Sequence, residues 1–326
     1  MTSRRTHSMR KAFVPVLVCS LWLVTGHAAS GSETPQVVTF HASDGMRLTA
    51  DYFPPPEDLR SLAPMVILLH MYRSDRYAWQ PLIRPLHEAG FAVLAVDLRG
   101  HGDSATTETR QRVLDRDPKL FREMQNDLRG AYDFLAAQPR VDRARFALVG
   151  ASVGCSVALQ YAARDRSVDA VVCLSPGLDY LGLDSAGDIA QITGRRLLLI
   201  ATEDEKDAVY TLEKRGSGVE VQIPAGASAH GTNMFGVVDG IERDVVAFLK
   251  HAVGGANTAI VYGSINSDVY HEPDSAWVKQ ISPSNLRYYS SAAEAEARGL
   301  RPAKSKGPAR TGGEERDTGR RRSGRP

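Results

Sequence analysis

The chain has 326 residues, of which 43% are hydrophobic. This length allows one domain of about 200–250 residues with a sizeable core, plus appendages. The formal net charge of +2 argues against a nucleic-acid-binding main body, so we expect no nucleic-acid partner. Lys and Arg dominate residues 301–326, and we predict a disordered basic tail over 303–326. We interpret this tail as a solvated extension, with contact to the cell envelope as the alternative.

The N-terminus has the pattern of a secretory signal. Basic residues within positions 4–11 precede an apolar run over residues 12–25, and Gly26–Ala28 ends in the small residues that a signal peptidase accepts. The apolar run is too short to span a bilayer comfortably. We therefore predict a signal peptide over residues 1–28 and an exported protein that is periplasmic or secreted.

After this signal, short apolar runs alternate with helical patterns. A β-hairpin is predicted first, followed by buried strands with continuous apolar runs, at residues 37–41, 47–53, 65–69, 91–96, 146–149, 170–174, 196–201 and 219–223. Helices are predicted over residues 76–89, 121–137, 155–163, 208–214 and 239–251. The alternation implies an α/β fold with a doubly wound, mostly parallel sheet. The short stretch between residues 174 and 197 leaves no room for a large lid.

The pentapeptide Gly150–Gly154 reads G-A-S-V-G, which matches the G-x-S-x-G nucleophile elbow. An apolar strand pattern precedes it and a helical pattern follows it. In such a turn the serine Oγ rises above the sheet, and the glycines let backbone pass where a Cβ would clash. We predict Ser152 as a catalytic nucleophile.

A serine nucleophile needs a base, and the base needs an orienting acid. The order serine, acid, histidine along the chain is found here. An acidic cluster follows the strand ending at Ala201, and Asp204 is the predicted acid, with Asp207 as the second candidate. His230, on a loop after the last strand, is the predicted base.

The oxyanion hole requires two backbone N–H groups. We predict Val153 for one and Tyr72, in the loop after residues 65–69, for the other, with Met71 as the alternative to Tyr72. Residues 97–104 are interpreted as a structural turn whose glycines serve backbone geometry. His101, which lies in this turn, is therefore not predicted to be the base.

With these motifs, residues 37–252 resemble an α/β-hydrolase, close to dienelactone hydrolases and esterases. The resemblance implies a serine hydrolase that cleaves a small-molecule carboxylic ester through an acyl-enzyme, with no cofactor and no metal. A peptidase or thioesterase on the same fold remains an alternative, as does a non-catalytic cell-envelope binding protein. The two cysteines beyond the signal, Cys155 and Cys173, are expected as buried thiols, with a disulfide as the alternative.

Residues 260–302 resemble the small zinc module of the bacterial Ada DNA-repair protein in a degenerate form. His271 matches one ligand position, whereas Ser275, Ala303 and Lys306 stand where the module has cysteines. A closed zinc site needs four ligands. We therefore expect this module to fold without metal, against the hydrolase domain or on itself.

Overall fold

The computed structural model describes residues 35–254, 261–272, 275–282, 285–289 and 291–303. The predicted signal peptide and nearly all of the predicted basic tail lie outside these described residues. All of the described residues fall within one compact unit. Within them, no helix is long and apolar enough to cross a membrane.

An eight-stranded sheet forms the centre of the fold. Its strands, in chain order, are β1 (Gln36–His41), β2 (Arg47–Phe53), β3 (Ala63–Leu69), β4 (Ala92–Val96), β5 (Val141–Ala151), β6 (Ala170–Leu174), β9 (Arg196–Ile200) and β10 (Val219–Gln222). Two further strands, β7 (Asp179–Tyr180) and β8 (Leu183–Asp184), form a separate small hairpin. The spatial order is β1-β2-β4-β3-β5-β6-β9-β10. The β1–β2 and β2–β4 pairs are antiparallel and the other pairs are parallel, so the predicted doubly wound α/β fold is confirmed.

Seven helices accompany this sheet in the described range 35–254. They are α1 (Gln80–Glu88), α2 (Thr107–Leu114), α3 (Pro118–Ala136), α4 (Val153–Arg164), α5 (Ser185–Ile189), α6 (Lys206–Arg215) and α7 (Ile241–Val253). Helix α2 was missed by the sequence analysis because its residues are almost all polar; a capping box between Thr106 and Thr109 begins it. Helix α3 begins three residues earlier than predicted, since Asp117 caps it and Pro118 suits its first turn.

The strands are buried because helices cover both faces of the sheet. Along β3, Met65, Ile67 and Leu69 pack with α3 and α4, while Val66 and Leu68 pack with α1 and α7. Alternate side chains of a strand point to opposite faces, so a continuous apolar run is what a sheet covered on both sides requires. The parallel strands end at one edge of this sheet, where the predicted site residues lie.

The C-terminal segment forms a second sheet with strand order β13-β11-β12-β14. These strands are β11 (Val261–Ser264), β12 (Val269–His271), β13 (Leu286–Tyr289) and β14 (Arg301–Pro302), and α8 (Ala292–Ala297) lies between the last two in the chain. Tyr262 and Tyr288 are buried in the same apolar cluster as helix α7. Among the described residues, no group of three or more His, Cys, Asp or Glu side chains is placed to hold a metal ion.

Candidate active site

Ser152 occupies a sharp turn between β5 and α4. Its φ of 53° and ψ of −120° lie in a region that non-glycine residues rarely adopt. A Cβ on Gly150 would lie 2.4 Å from the Gly154 carbonyl oxygen, and one on Gly154 would lie 2.2 Å from the Leu69 carbonyl oxygen. Both glycines are therefore required by close backbone approach, as the elbow motif predicts. The Ser152 N–H donates to the Leu174 carbonyl at 2.9 Å, which ties the turn to strand β6.

Two backbone N–H groups near this turn, those of Val153 and Tyr72, have no competing hydrogen-bond acceptor among the residues that the structure describes. Val153 is the first residue of α4, so its N–H has no acceptor within the helix. The Tyr72 N–H likewise has no hydrogen-bond acceptor in the described part of the chain. Leu69 and His70, which lead to Tyr72, pass close enough to Gly154 to exclude a Cβ there. The loop after β3 and the start of α4 are therefore adjacent.

His70 sets the orientation of the loop that carries Tyr72. Its Nδ1 lies 2.7 Å from the Met71 carbonyl oxygen, and its Nε2 accepts from the Leu98 N–H at 3.1 Å. Burial lowers the pKa of His70 to about 4, so the ring is neutral with the proton on Nδ1. The Met71 C=O and the Tyr72 N–H belong to one trans peptide and point in opposite directions. The bond from His70 therefore turns the Tyr72 N–H away from the His70 ring.

His230 lies on the loop between β10 and α7, and three contacts hold this loop against the elbow. The N–H of Gly231 donates to Ser175 Oγ at 2.9 Å, and Ser175 directly follows β6. A Cβ on Gly231 would lie 2.5 Å from Met71 Sδ and 3.4 Å from the Ala151 Cβ. The loop thus packs between Ala151, the residue before Ser152, and Met71, the residue before Tyr72. Ser175 was not predicted from the sequence, in which its place directly after a buried strand is its one signal.

The carboxylate that faces His230 belongs to Glu205. Its Oε1 lies 2.5 Å from His230 Nδ1, and the two side chains are 27% and 39% exposed. Within the described part of the chain, Glu205 Oε2 is buried and has no hydrogen-bond partner. The ring of Tyr180 meets the His230 ring edge-on, with centroids 6.4 Å apart. One side of the imidazole is therefore held by a carboxylate and another by an aromatic ring.

Asp204, the acid predicted from the sequence, makes different contacts. Thr202 Oγ1 lies 2.6 Å from its Oδ1, and Ser228 Oγ donates to its Oδ2 at 3.0 Å. Hydrogen bonds from these two hydroxyls, together with the charge of His230, lower the pKa of the Asp204 carboxyl. Asp204 therefore joins the loop after β9 to the loop that carries His230. Asp207, the second candidate, lies exposed in the first turn of α6.

The predicted structural turn at residues 97–104 contains a buried ionic network. Arg76 pairs with Asp51 and Asp97, both fully buried, and also with the exposed Asp103. His101 is buried beside His70, with ring centroids 4.8 Å apart. Burial and the neighbouring His70 lower the pKa of His101 to about 4. The buried His101 ring is therefore a weak base.

Both cysteines of the described residues are free and buried. Cys155 lies in the first turn of α4, and its Sγ is 3.2 Å from the Gly150 and Leu174 carbonyl oxygens. Burial and the adjacent Cys173 thiol raise the pKa of Cys155. The thiols fill space beneath the elbow as small apolar groups.

A family model described as "Serine aminopeptidase, S33" matches residues 61–203. This range contains Ser152 and Tyr72 and ends before Asp204, Glu205 and His230. Two uncharacterized proteins from two strains of Mycobacterium tuberculosis are each 32% identical over 139 residues, which is 43% of this chain and 44% of theirs. The chain thus matches less than half the length of these curated relatives.

Three solved structures share the architecture. A dienelactone hydrolase from Anabaena variabilis is 22% identical with a TM-score of 0.53, covering 67% of this chain and 99% of its own. An esterase from Pyrococcus furiosus is 22% identical with a TM-score of 0.54, covering 68% and 93%. An α/β hydrolase from a Penicillium species is 18% identical with a TM-score of 0.55, covering 68% and 99%.

With the sheet order and the elbow, these matches show that the chain has the α/β-hydrolase fold, and they support a hydrolase on that fold. None of these matches shows an Ada-type zinc module in the C-terminal segment.

Proposed function

We propose that this protein is a serine hydrolase that cleaves a carboxylic ester through an acyl-enzyme. The observation that carries the proposal is the contact between His230 Nδ1 and Glu205 at the sheet edge where Ser152 occupies its strained turn. A carboxylate on Nδ1 holds the proton there and leaves Nε2 as the free lone pair. This is the tautomer that a general base requires.

In the proposed first step, His230 Nε2 takes the proton of Ser152 Oγ as Oγ attacks the ester carbonyl carbon. The carbonyl oxygen becomes an oxyanion that accepts hydrogen bonds from the N–H groups of Val153 and Tyr72. Glu205 stabilises the imidazolium that forms. The tetrahedral intermediate collapses when His230 Nε2 returns its proton to the departing alkoxide, which leaves as the alcohol.

In the second step, water attacks the acyl-enzyme. His230 takes a proton from this water, and the same two N–H groups bind the second oxyanion. Collapse of this intermediate releases the carboxylic acid and returns the proton to Ser152 Oγ. No cofactor is needed for either step, because the nucleophile, base and oxyanion donors all belong to this chain.

A fluorophosphonate probe and a set of chromogenic substrates test this proposal. Ser152→Ala should abolish labelling and lower p-nitrophenyl acetate turnover by about 10⁴-fold or more, with the fold retained. Ser156→Ala is the matched control, since Ser156 is a buried serine of α4, the helix that follows Ser152, and its Oγ accepts a hydrogen bond from Ser185 Oγ. Full labelling of the Ser152→Ala protein would overturn the nucleophile assignment, and a wild-type protein that is never labelled would favour a non-catalytic binding protein.

The description of the matching family favours a peptidase as the second candidate. The two candidates differ in the bond that is cleaved, not in the proposed residues. An aminoacyl p-nitroanilide and the p-nitrophenyl ester of the same amino acid present the same acyl group to Ser152. Turnover of the anilide at a rate near that of the ester would favour the peptidase, and turnover of the ester alone would favour the esterase.

We also propose that the protein is exported, on the basis of the basic and apolar pattern of residues 1–28. An exported enzyme would meet its ester substrate in the periplasm or outside the cell. The basic residues of the tail over 303–326 offer positive charge to an anionic cell envelope.

A further inference from the structure

A cavity of about 580 Å³ begins at Arg73, directly after Tyr72, and has no part in the proposed mechanism. Its walls come from three places: the residues directly after Tyr72, the turn after β4, and helix α2. These walls carry the charged side chains of Arg73, Asp75, Asp103 and Arg110 and the apolar side chain of Leu114. The volume falls within the range of about 300–1,000 Å³ that is usual for small-molecule sites.

The charged groups of this cavity retain hydrogen-bonding capacity. Neither Arg73 nor Arg110 forms an ion pair in the described part of the chain. Asp75 Oδ1 accepts from the Tyr77 N–H at 3.0 Å, and Asp103 Oδ2 pairs with Arg76 at 2.9 Å. Among the described residues, the second oxygen of each carboxylate has no such bond. Free donors and free acceptors therefore line the same space.

This combination favours an uncharged ligand that is rich in hydroxyl groups. Two guanidinium groups and two carboxylates give the lining no net charge, so an ion gains little from entering it. A hydroxyl group both donates and accepts, which lets it bond a guanidinium and a carboxylate together. Leu114, which is half exposed, offers apolar surface to the C–H groups of such a ligand.

We infer that this cavity binds the non-reacting part of the substrate, and that this part is an uncharged sugar or polyol. The inference rests on the proposed function, because that function assigns the Tyr72 N–H to the oxyanion hole, and the cavity wall begins at the next residue, Arg73. Arg73 follows Tyr72 directly, and the Ser74 N–H donates to the Met71 carbonyl at 3.2 Å. One turn therefore presents the oxyanion donor and forms the cavity wall.

The test compares two acetate esters: glucose acetylated at its primary hydroxyl, and hexyl acetate. Both release acetate, so the ratio of their kcat/KM values isolates the alcohol part. Arg110→Ala should lower this ratio about tenfold, because a charge-assisted hydrogen bond to the sugar is lost. Arg110 is exposed on α2, and Ala preserves the helix. The matched control is Arg122→Ala, an exposed arginine of α3 outside the cavity, which should leave the ratio unchanged.

A second measurement separates this inference from the proposed function. Calorimetric titration of the Ser152→Ala protein with the acetylated glucose should detect binding that Arg110→Ala weakens about tenfold. If neither ester is cleaved but this binding persists, the proposed reaction fails, whereas the cavity is still a sugar-binding site. An unchanged ratio, or binding that is absent or independent of Arg110, would overturn the cavity assignment.

Discussion

Glu205→Gln is the most informative substitution in the proposed site, because it removes one charge and keeps an oxygen that can accept from His230. At the observed 2.5 Å, two full charges attract by about 7 kcal/mol at an effective dielectric constant of about 20 and by about 2 kcal/mol in bulk water. The His230 side chain is 39% exposed, which moves the expected loss toward the lower figure. A loss of about 2–4 kcal/mol of transition-state stabilisation predicts a decrease in kcat of about 30- to 1000-fold.

The assay is steady-state hydrolysis of p-nitrophenyl acetate by Glu205→Gln, Asp204→Asn and Asp207→Asn proteins. Asp204→Asn should lower kcat by less than about fivefold, because Asp204 is exposed and its hydrogen bonds join two loops instead of holding the His230 imidazole. Asp207→Asn serves as the control for loss of one acidic charge from this region. A larger loss from Asp204→Asn than from Glu205→Gln would refute the reasoning and restore the acid predicted from the sequence.

Four further predictions concern separate parts of the molecule. His70→Ala should free the Met71 carbonyl and lower kcat roughly 100-fold with little change in KM, and a kcat within about twofold of wild type would contradict its positioning role. The pKa of His101 is about 4 in the folded protein, against an ordinary value of 6.5. The free energy of unfolding therefore keeps its full contribution from the neutral ring above pH 6.5 and loses it as the pH falls from 6.5 toward 4. Between pH 7 and pH 4.5, urea unfolding should therefore show a decrease in the free energy of unfolding that is about 2 kcal/mol larger in wild type than in His101→Gln, and equal decreases would contradict the buried neutral ring. N-terminal sequencing of protein from the native host should find cleavage at Ala28 or one residue later, whereas an intact start would exclude the signal peptide. Elemental analysis of untagged protein should find no stoichiometric zinc, and a chelator should leave ester turnover and Tm unchanged; one zinc per chain, lost together with stability, would show that the ligands were misplaced.

The sequence predicted the parallel sheet well because each central strand is covered on both faces. A continuous apolar run such as Met65–Leu69 is typical of a strand whose two faces are both covered by helices. The elbow was also predictable, since Gly150 and Gly154 meet backbone atoms that no side chain could pass. These features depend on local composition and close backbone contact, and both are visible in the sequence.

The partner of His230 was not predictable in the same way. Glu203, Asp204 and Glu205 form one turn of 3₁₀-helix, in which successive side chains point about 120° apart. Which of three neighbouring carboxylates faces the imidazole depends on the rotation of this turn, and composition carries no information about that rotation. The hydrogen bond from His70 to the Met71 carbonyl was not predicted for a related reason: it depends on the direction of one peptide group.

The C-terminal sheet bears on how the molecule unfolds. Tyr262 OH donates to Glu220 on β10, and Gln222 Nε2 contacts both Asp244 on α7 and the Leu286 carbonyl oxygen. Polar bonds and a common apolar cluster therefore cross between the appended strands and the hydrolase domain. Elements that share a core lose their stability together. Calorimetry should accordingly record a single cooperative transition, and a chain cut after residue 254 should melt at a lower temperature than the intact one.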